Sequence, residues 1–330
     1  MNVAIIGCGT LGRIQSQMAV NCGLDVVVCA DISAAPARAL AKHHNAKSTT
    51  KCMAAARRRD VDIVVVTTPT QTHSQYVVAA AQAGKHVFCE KPFGRTLRQC
   101  KDALAAVKKA KVKLFVGHVV RYFREFEAMK TQIDAGVVGD VGFVKTFRGG
   151  GAPRGANGWF RDFEMSGGAT LDLIIHDFDW LRYVFGDVER VFSQDRRDKI
   201  ASGIDHALVT LRMKNGVIAN VVGSWAMPSG FYVTAEVCGE KGMIQFDSRD
   251  AAVQSMKRQP AGGQTGTIVP ASPQEVSPYQ LEWEDFLRDI EGAGTPRVTP
   301  QDALEAVRVS LAALKSAETG KPVTLASARP

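Results

Sequence analysis

Apolar positions in the first third of the chain fall in short, unbroken runs. Val3-Ala4-Ile5-Ile6 is the first, residues 24–30 (LDVVVCA) the second and residues 62–67 (DIVVVT) the third; residues 86–89 and 113–117 follow. Between them, residues 10–21, 34–42, 73–83 and 97–110 carry apolar side chains at helical spacing. A strand that is apolar on both faces belongs in a parallel sheet covered on both sides. Regular alternation with helices therefore predicts a doubly wound α/β domain of the Rossmann type.

The texture changes near residue 120. A helix over 126–135 and a strand over 141–148 lead into a glycine-rich loop, 149–157, and then a helix over 170–185. Residues 207–213, 217–225, 232–238 and 243–246 read as strands, separated by turns such as Lys214-Asn215-Gly216. Consecutive hairpin-like strands predict an α+β domain with a mostly antiparallel sheet. A Gly/Pro/Thr-rich excursion at 260–273 precedes two helices, 279–291 and 300–319. The expected division is 1–120 for nucleotide binding and 121–330 for substrate binding and oligomerisation, with the last helices as candidates to pack on the first domain.

Composition narrows the function classes. With 45% hydrophobic and 22% charged residues over 330 positions, the chain is neither a disordered, fibrous nor repeat protein. The net charge of +8 is spread over separate helix ends, such as Arg57-Arg58-Arg59 and Lys108-Lys109, rather than gathered in a stripe, so no nucleic-acid partner is expected. The surplus suits an anionic cofactor. Seven cysteines without metal-ligand spacing predict reduced thiols and no metal. The first strand begins at once and no apolar stretch reaches membrane length, so a cytoplasmic protein without a membrane partner is expected.

Gly7-Cys8-Gly9-Thr10-Leu11-Gly12 follows the first strand and opens the first helix. In that setting GxGxxG makes a tight turn, lets backbone approach a pyrophosphate and packs helix on strand. Free N–H groups at the helix start face the phosphates. Asp31 ends the next strand, nineteen residues beyond Gly12, where a carboxylate accepts hydrogen bonds from a ribose. Residues 32–35, beginning with Ile32, include no Arg or Lys, which favours NAD over NADP. Thr67, Thr68 and Pro69 end the third run on the ligand side, where they and His73, which opens the next helix, are candidate cofactor contacts; the structural alternative is a proline-terminated strand.

Glu90-Lys91-Pro92 ends the fourth run on the same side. A partly desolvated Lys91 can polarise a substrate oxygen, and a surface Glu–Lys pair is the alternative. In residues 166–179 (SGGATLDLIIHDFD), Asp172, His176 and Asp179 share one face if the segment is α-helical. They make either a histidine tuned by a carboxylate for proton transfer or a capped helix with a buried, satisfied histidine.

These motifs resemble the Gfo/Idh/MocA oxidoreductases, the glucose-fructose oxidoreductase and inositol dehydrogenase group. The resemblance rests on GCGTLG (7–12), Asp31, TTPTQTH (67–73), AGKHVFCEKPF (83–93), GDVGFV (139–144), residues 166–179 and KPVTL (321–325). It implies a Rossmann domain and a second domain whose open, mainly antiparallel sheet forms a homodimer or homotetramer interface. It also implies Lys91, Asp172 and His176 as catalytic residues acting on a secondary alcohol of a cyclitol or sugar. Lys91, Glu90 and the glycine turn are implied at the cofactor; Arg121, Asn157, Trp159 and Asp179 join the catalytic three as substrate contacts. Keto-sugar reduction, a redox-neutral glycosidase cycle and a non-catalytic dinucleotide-binding regulator stay open as alternatives. Two departures from the family pattern are Ile174, in place of a small residue, and Arg124, in place of proline.

Overall fold

The computed structural model describes residues 1–228, 230–250 and 276–325; the excursion at 260–273 lies outside the described residues. In chain order the elements are β1 (Asn2–Ile6), α1 (Thr10–Asn21), β2 (Asp25–Ala30), α2 (Ala34–His43), β3 (Lys47–Thr49), α3 (Cys52–Ala55), β4 (Ile63–Val66), α4 (His73–Gln82), β5 (His86–Glu90), α5 (Leu97–Ala110) and β6 (Leu114–Gly117). Then come α6 (Arg124–Asp134), β7 (Val141–Gly149), α7 (Phe163–Ser166), α8 (Ile175–Phe185), β8 (Val188–Asp195), β9 (His206–Met213), β10 (Ile218–Ser224), β11 (Tyr232–Gly239), β12 (Gly242–Asp247), α9 (Pro278–Ile290), α10 (Pro300–Thr319) and β13 (Val323–Thr324). Two units result. One comprises Met1–Phe123 and Ser272–Val307, the other Arg124–Ala271 and Arg308–Pro330.

The first unit is built on a six-stranded sheet, order β3-β2-β1-β4-β5-β6, parallel throughout. Val3, Ile5, Ile63, Val65 and Phe88 are fully buried in its core, as strands covered on both faces require. Trp283 and Phe286 of α9 join the same cluster. The Trp283 ring stacks on Phe88 with centroids 4.9 Å apart. Full burial of one such side chain contributes about 1.5–3 kcal/mol, so α9 is part of this core although it lies far along the chain.

The second unit carries a seven-stranded sheet, order β12-β11-β7-β10-β9-β8-β13. Only β7 and β10 pair in parallel; the other pairs are antiparallel. Ala207, Val209, Leu211 and Met213 of β9 are buried, whereas Leu208 between them is half exposed, so one face is covered and the other open. The sequence pattern had not indicated β3 or β8. β3 is three polar residues at the sheet edge. In β8 a register shift between Val188 and Arg190 breaks the alternation that marks a strand. Among the described residues, no helix is long and apolar enough to cross a membrane and no cluster of side chains could hold a metal.

Candidate functional site

All six strands of the first sheet point the same way, so the turns after β1, β2, β4 and β5 leave it at one edge. That edge, where strand order reverses between β1 and β4, is where open α/β sheets hold ligands. A Cβ on Gly12 would collide with the Gly7 carbonyl oxygen, which explains the third glycine as a close approach of α1 to the turn. The Thr67 hydroxyl donates to the same Gly7 oxygen at 2.6 Å, tying the end of β4 to the turn. Asp31 braces it from β2: its Oδ2 accepts the Cys8 N–H and its Oδ1 the Ser33 N–H, both at 2.8 Å. Each oxygen keeps a further lone pair for a ribose hydroxyl. Helix α1 has no side-chain cap, and a Cβ on Gly9 would meet nothing within 4 Å. Gly9 and Thr10 are exposed and Leu11 half-buried. The first N–H groups of a twelve-residue helix thus face open space, which fits a dinucleotide's phosphates. Ile32 is 80% exposed beside Asp31.

One sequence expectation at this edge is corrected. His73 is not a ligand-facing group. It is buried, with Nδ1 and Nε2 each 2.7 Å from a backbone carbonyl, of Pro92 and Thr68 respectively. Burial pushes its pKa down to about 4, so it serves as a neutral brace between the Thr67–Pro69 turn and Pro92. Glu90, whose alternative reading was a surface carboxylate, is not a surface group. Its side chain is buried; Oε1 accepts from Gln15 Nε2 at 2.6 Å and Oε2 from the Lys91 N–H at 3.2 Å. Lys91 itself is half-buried and its peptide bond to Pro92 is cis. Thr68 is likewise spoken for in part, accepting from the Thr72 hydroxyl at 2.8 Å.

In the second unit the continuous helix expected over 170–185 is broken. Ala169–Leu173 forms a wide π turn, closed by the Ile174 N–H on the Ala169 carbonyl at 3.0 Å, and α8 starts afresh at Ile175. Asp172 and His176 are therefore separated by a π-to-α junction rather than by ideal α spacing; such junctions are frequent at functional sites. Gly167 and Gly168 precede it, both at positive φ, 76° and 68°, and turn the chain from α7 into the π segment. Ile174 at the junction is fully buried. Its Cγ2 occupies the space a Cβ on Gly223 of β10 would need, so its bulk is accommodated on the sheet side. Asp172 and Asp179 are buried and His176 half-buried.

Two further carboxylates support this segment, and neither stood out in the sequence. Asp177 Oδ2 accepts from Arg148 Nε of β7 at 2.7 Å, and both side chains are buried. Asp205 Oδ2 accepts the Ala169 N–H at 2.6 Å and so holds the start of the π turn; its other oxygen is buried without a protein partner. Burial, opposed by the Ala169 hydrogen bond, raises the Asp205 pKa from 3.8 to about 6. A raised acid pKa means that the folded state binds the proton more tightly. Stability is then lost as pH rises from about 4 to about 6, by an amount on the order of 3 kcal/mol. Asp205→Asn keeps the acceptor for Ala169 and abolishes the titration. Its stability relative to wild type is expected to improve by that amount between pH 4 and pH 7, as read from urea midpoints; a constant difference would contradict the assignment.

The remaining substrate candidates separate. Arg121 is buried in the first unit, with Nη1 bonded to the Arg297 carbonyl and 3.4 Å from Asp302 Oδ2. Trp159 and Asn157 lie in the second unit's 3-10 segment Ala156–Arg161. Trp159 stacks on Phe160 at 3.8 Å between centroids, and Phe160, like Leu173, packs against the buried cluster of Ala169, Ile200 and Trp225. This aromatic pair thereby adjoins the segment carrying Asp172. Asn157 is exposed, at φ 56°.

Residues 1–118 match an oxidoreductase family with an NAD-binding Rossmann fold, and residues 126–245 match the GFO/IDH/MocA C-terminal domain. Myo-inositol 2-dehydrogenase of Thermotoga maritima is 33% identical over 81% of this chain and 80% of its own. Scyllo-inositol 2-dehydrogenase (NAD(+)) of Bacillus subtilis is 32% identical over 80% and 78%. GenD2 from gentamicin A biosynthesis, solved with NAD, superposes with a TM-score of 0.88 over 99% of this chain and 97% of that one; at 24% identity it speaks for the fold alone.

Proposed function

We propose, from the fact that this chain belongs to the Gfo/Idh/MocA oxidoreductase family, that it is an NAD-dependent dehydrogenase oxidising a secondary alcohol of a cyclitol or sugar. The observation that carries this reading is the carboxyl edge of the first sheet. There the glycine turn, an uncapped helix N-terminus, Asp31 and Lys91 all lie at strand ends. The α1 N–H groups bind the pyrophosphate. Asp31 takes the adenosine ribose hydroxyls, repelling a 2′-phosphate, and Ile32 offers apolar surface to the adenine. Bound NAD supplies the hydride acceptor, and the protein supplies position and proton control.

Lys91 holds the reacting oxygen through its ammonium. His176 takes the hydroxyl proton as the alcohol becomes a carbonyl, while Asp172 orients the imidazole and binds a second hydroxyl. Asp179, Asn157 and Trp159 are assigned to the rest of the polyol, Trp159 by its apolar face. The relatives named as inositol 2-dehydrogenases support a cyclitol as substrate class. We further assign the open face of the second sheet, with Phe192, Leu208, Ile218 and Met243 exposed on it, to a homo-oligomer interface.

A panel of inositols, hexoses, anhydrosugars and glycosides, each offered with NAD and with NADP, tests the proposal by absorbance of the reduced cofactor. NADH formation with at least one polyol, and slower turnover with NADP, is the expected result. Product formed without net NADH, or oxidation of NADPH by a keto-sugar, would replace the proposal with a redox-neutral cycle or a reductase. Asp31→Ala is expected to lower kcat/KM for NAD by about 10- to 100-fold, since it removes charge-assisted hydrogen bonds each worth about 1.5–3 kcal/mol.

A further inference from the structure

Gln15 is completely buried on α1, three residues beyond Gly12, where an apolar side chain would be expected. A buried amide is costly unless both ends are bonded, and here both are. Its Oε1 accepts from the Trp283 indole at 2.8 Å, and its Nε2 donates to Glu90 Oε1 at 2.6 Å. The amide has one orientation, because an indole only donates and a carboxylate only accepts. Glu90 passes the constraint on, since its Oε2 accepts the Lys91 N–H at 3.2 Å. Glycine at 117 on β6 leaves the carboxylate its place, since a Cβ there would stand 3.3 Å from Oε2. The other end of the line is fixed by the stack of Trp283 on Phe88, two residues before Glu90 on β5.

We infer that Gln15 is a positioning residue for Lys91: the buried line Trp283–Gln15–Glu90 ties the lysine's backbone to the helix that begins at the glycine turn. The inference rests on the reading of Lys91 as the residue that holds the reacting oxygen. Because α1 both receives the cofactor's phosphates in that reading and carries Gln15, the line keeps the lysine in register with the cofactor. A shift of the lysine alone lowers turnover and leaves cofactor affinity unchanged.

The test compares Gln15→Met, of similar volume and without an amide, with Trp283→Phe, which keeps an aromatic ring and removes the indole N–H. Turnover is measured on the best polyol of the panel, NADH affinity by fluorescence titration, and protection of the peptide containing Lys91 by hydrogen–deuterium exchange. Gln15→Met is expected to lower kcat about 10- to 100-fold, the cost of misplacing a reacting group by about 1 Å. NADH affinity should stay unchanged and protection around Lys91 should fall. Trp283→Phe should show the same pattern more weakly. Adding Gln15→Met to Lys91→Met should cost nothing further, because the glutamine acts only through the lysine.

A Gln15→Met enzyme with wild-type kcat and wild-type protection, beside an inactive Lys91→Met enzyme, overturns this inference alone. Additive losses in the double variant also overturn it, since they would make Gln15 a general support of the fold. If Lys91→Met itself turns over at the wild-type rate, the reading of Lys91 fails instead. If Gln15→Met does not fold, Trp283→Phe decides by the same criteria.

Discussion

Replacing His176 with alanine is expected to lower kcat by about 10²- to 10⁴-fold, the range that a positioned general base contributes. The loss should fall on kcat more than on KM, because in the proposed reaction the imidazole takes a proton only as the hydroxyl is oxidised. Lys91→Met should bring a loss of similar size. A methionine fills the space of the alkyl stem but offers no donor to the reacting oxygen. The decisive measurement is the double variant. If the two residues act on one oxygen, removing both should cost little more than removing either, as for groups that work as a unit. Losses that multiply would mean the lysine and the histidine serve separate steps. Turnover near the wild-type rate in either single variant would remove that residue from the mechanism. Asp172→Asn gives an intermediate case: in the proposed role it keeps a hydrogen-bonding group to orient the imidazole and removes the charge, so it should reduce kcat without abolishing it.

The sequence made the first unit nearly transparent, because its signals are local. Leu97–Ala110 is bounded as predicted, with a Thr96–Gln99 capping box at its start that is itself a sequence pattern. The glycine turn and Asp31 were legible for the same reason: one strand-turn-helix unit contains them. What Asp31 does inside the protein was not, since its hold on the Cys8 N–H joins residues that only the fold brings together. The same holds for His73. A histidine opening a helix beside a proline turn reads as ligand-facing until both ring nitrogens are found against the Thr68 and Pro92 carbonyls.

The second unit was legible in outline but not at its junction. Helical periodicity ran smoothly through residues 170–185, and a single wide turn changes which side chains align without changing which are apolar. Gly167 and Gly168 were the available sign, a pair whose positive φ values mark a chain reversal rather than a helix start. Ile174 read only as a departure from the family's small residue, because its complement, Gly223, lies far along the chain. Asp205 was invisible for the same reason: its partner, the Ala169 N–H, is a backbone group that no sequence pattern names.

Asp177→Ala should be strongly destabilising to the second unit. Arg148 and Asp177 are buried together, Nε to Oδ2 at 2.7 Å. The pair is imperfectly satisfied: Arg148 Nη2 and Asp177 Oδ1 have no protein partner. Its net worth relative to an apolar pair is therefore small. Breaking it is another matter, because alanine at 177 strands a guanidinium inside the unit, at a cost of about 3–5 kcal/mol. Against a total stability of about 5–15 kcal/mol for an ordinary protein, that is a large fraction, and it falls on the residue next to His176. The urea midpoint should drop markedly, with activity falling at temperatures where the wild type is stable. Replacing both partners, Arg148→Met with Asp177→Leu, removes the stranded charge and should restore most of the midpoint. The two results together separate a buried-charge penalty from simple loss of a contact. If Asp177→Ala moves the midpoint by less than about 1 kcal/mol, within the range of an exposed ion pair, then water reaches Arg148 and the pair does not seat α8 on β7.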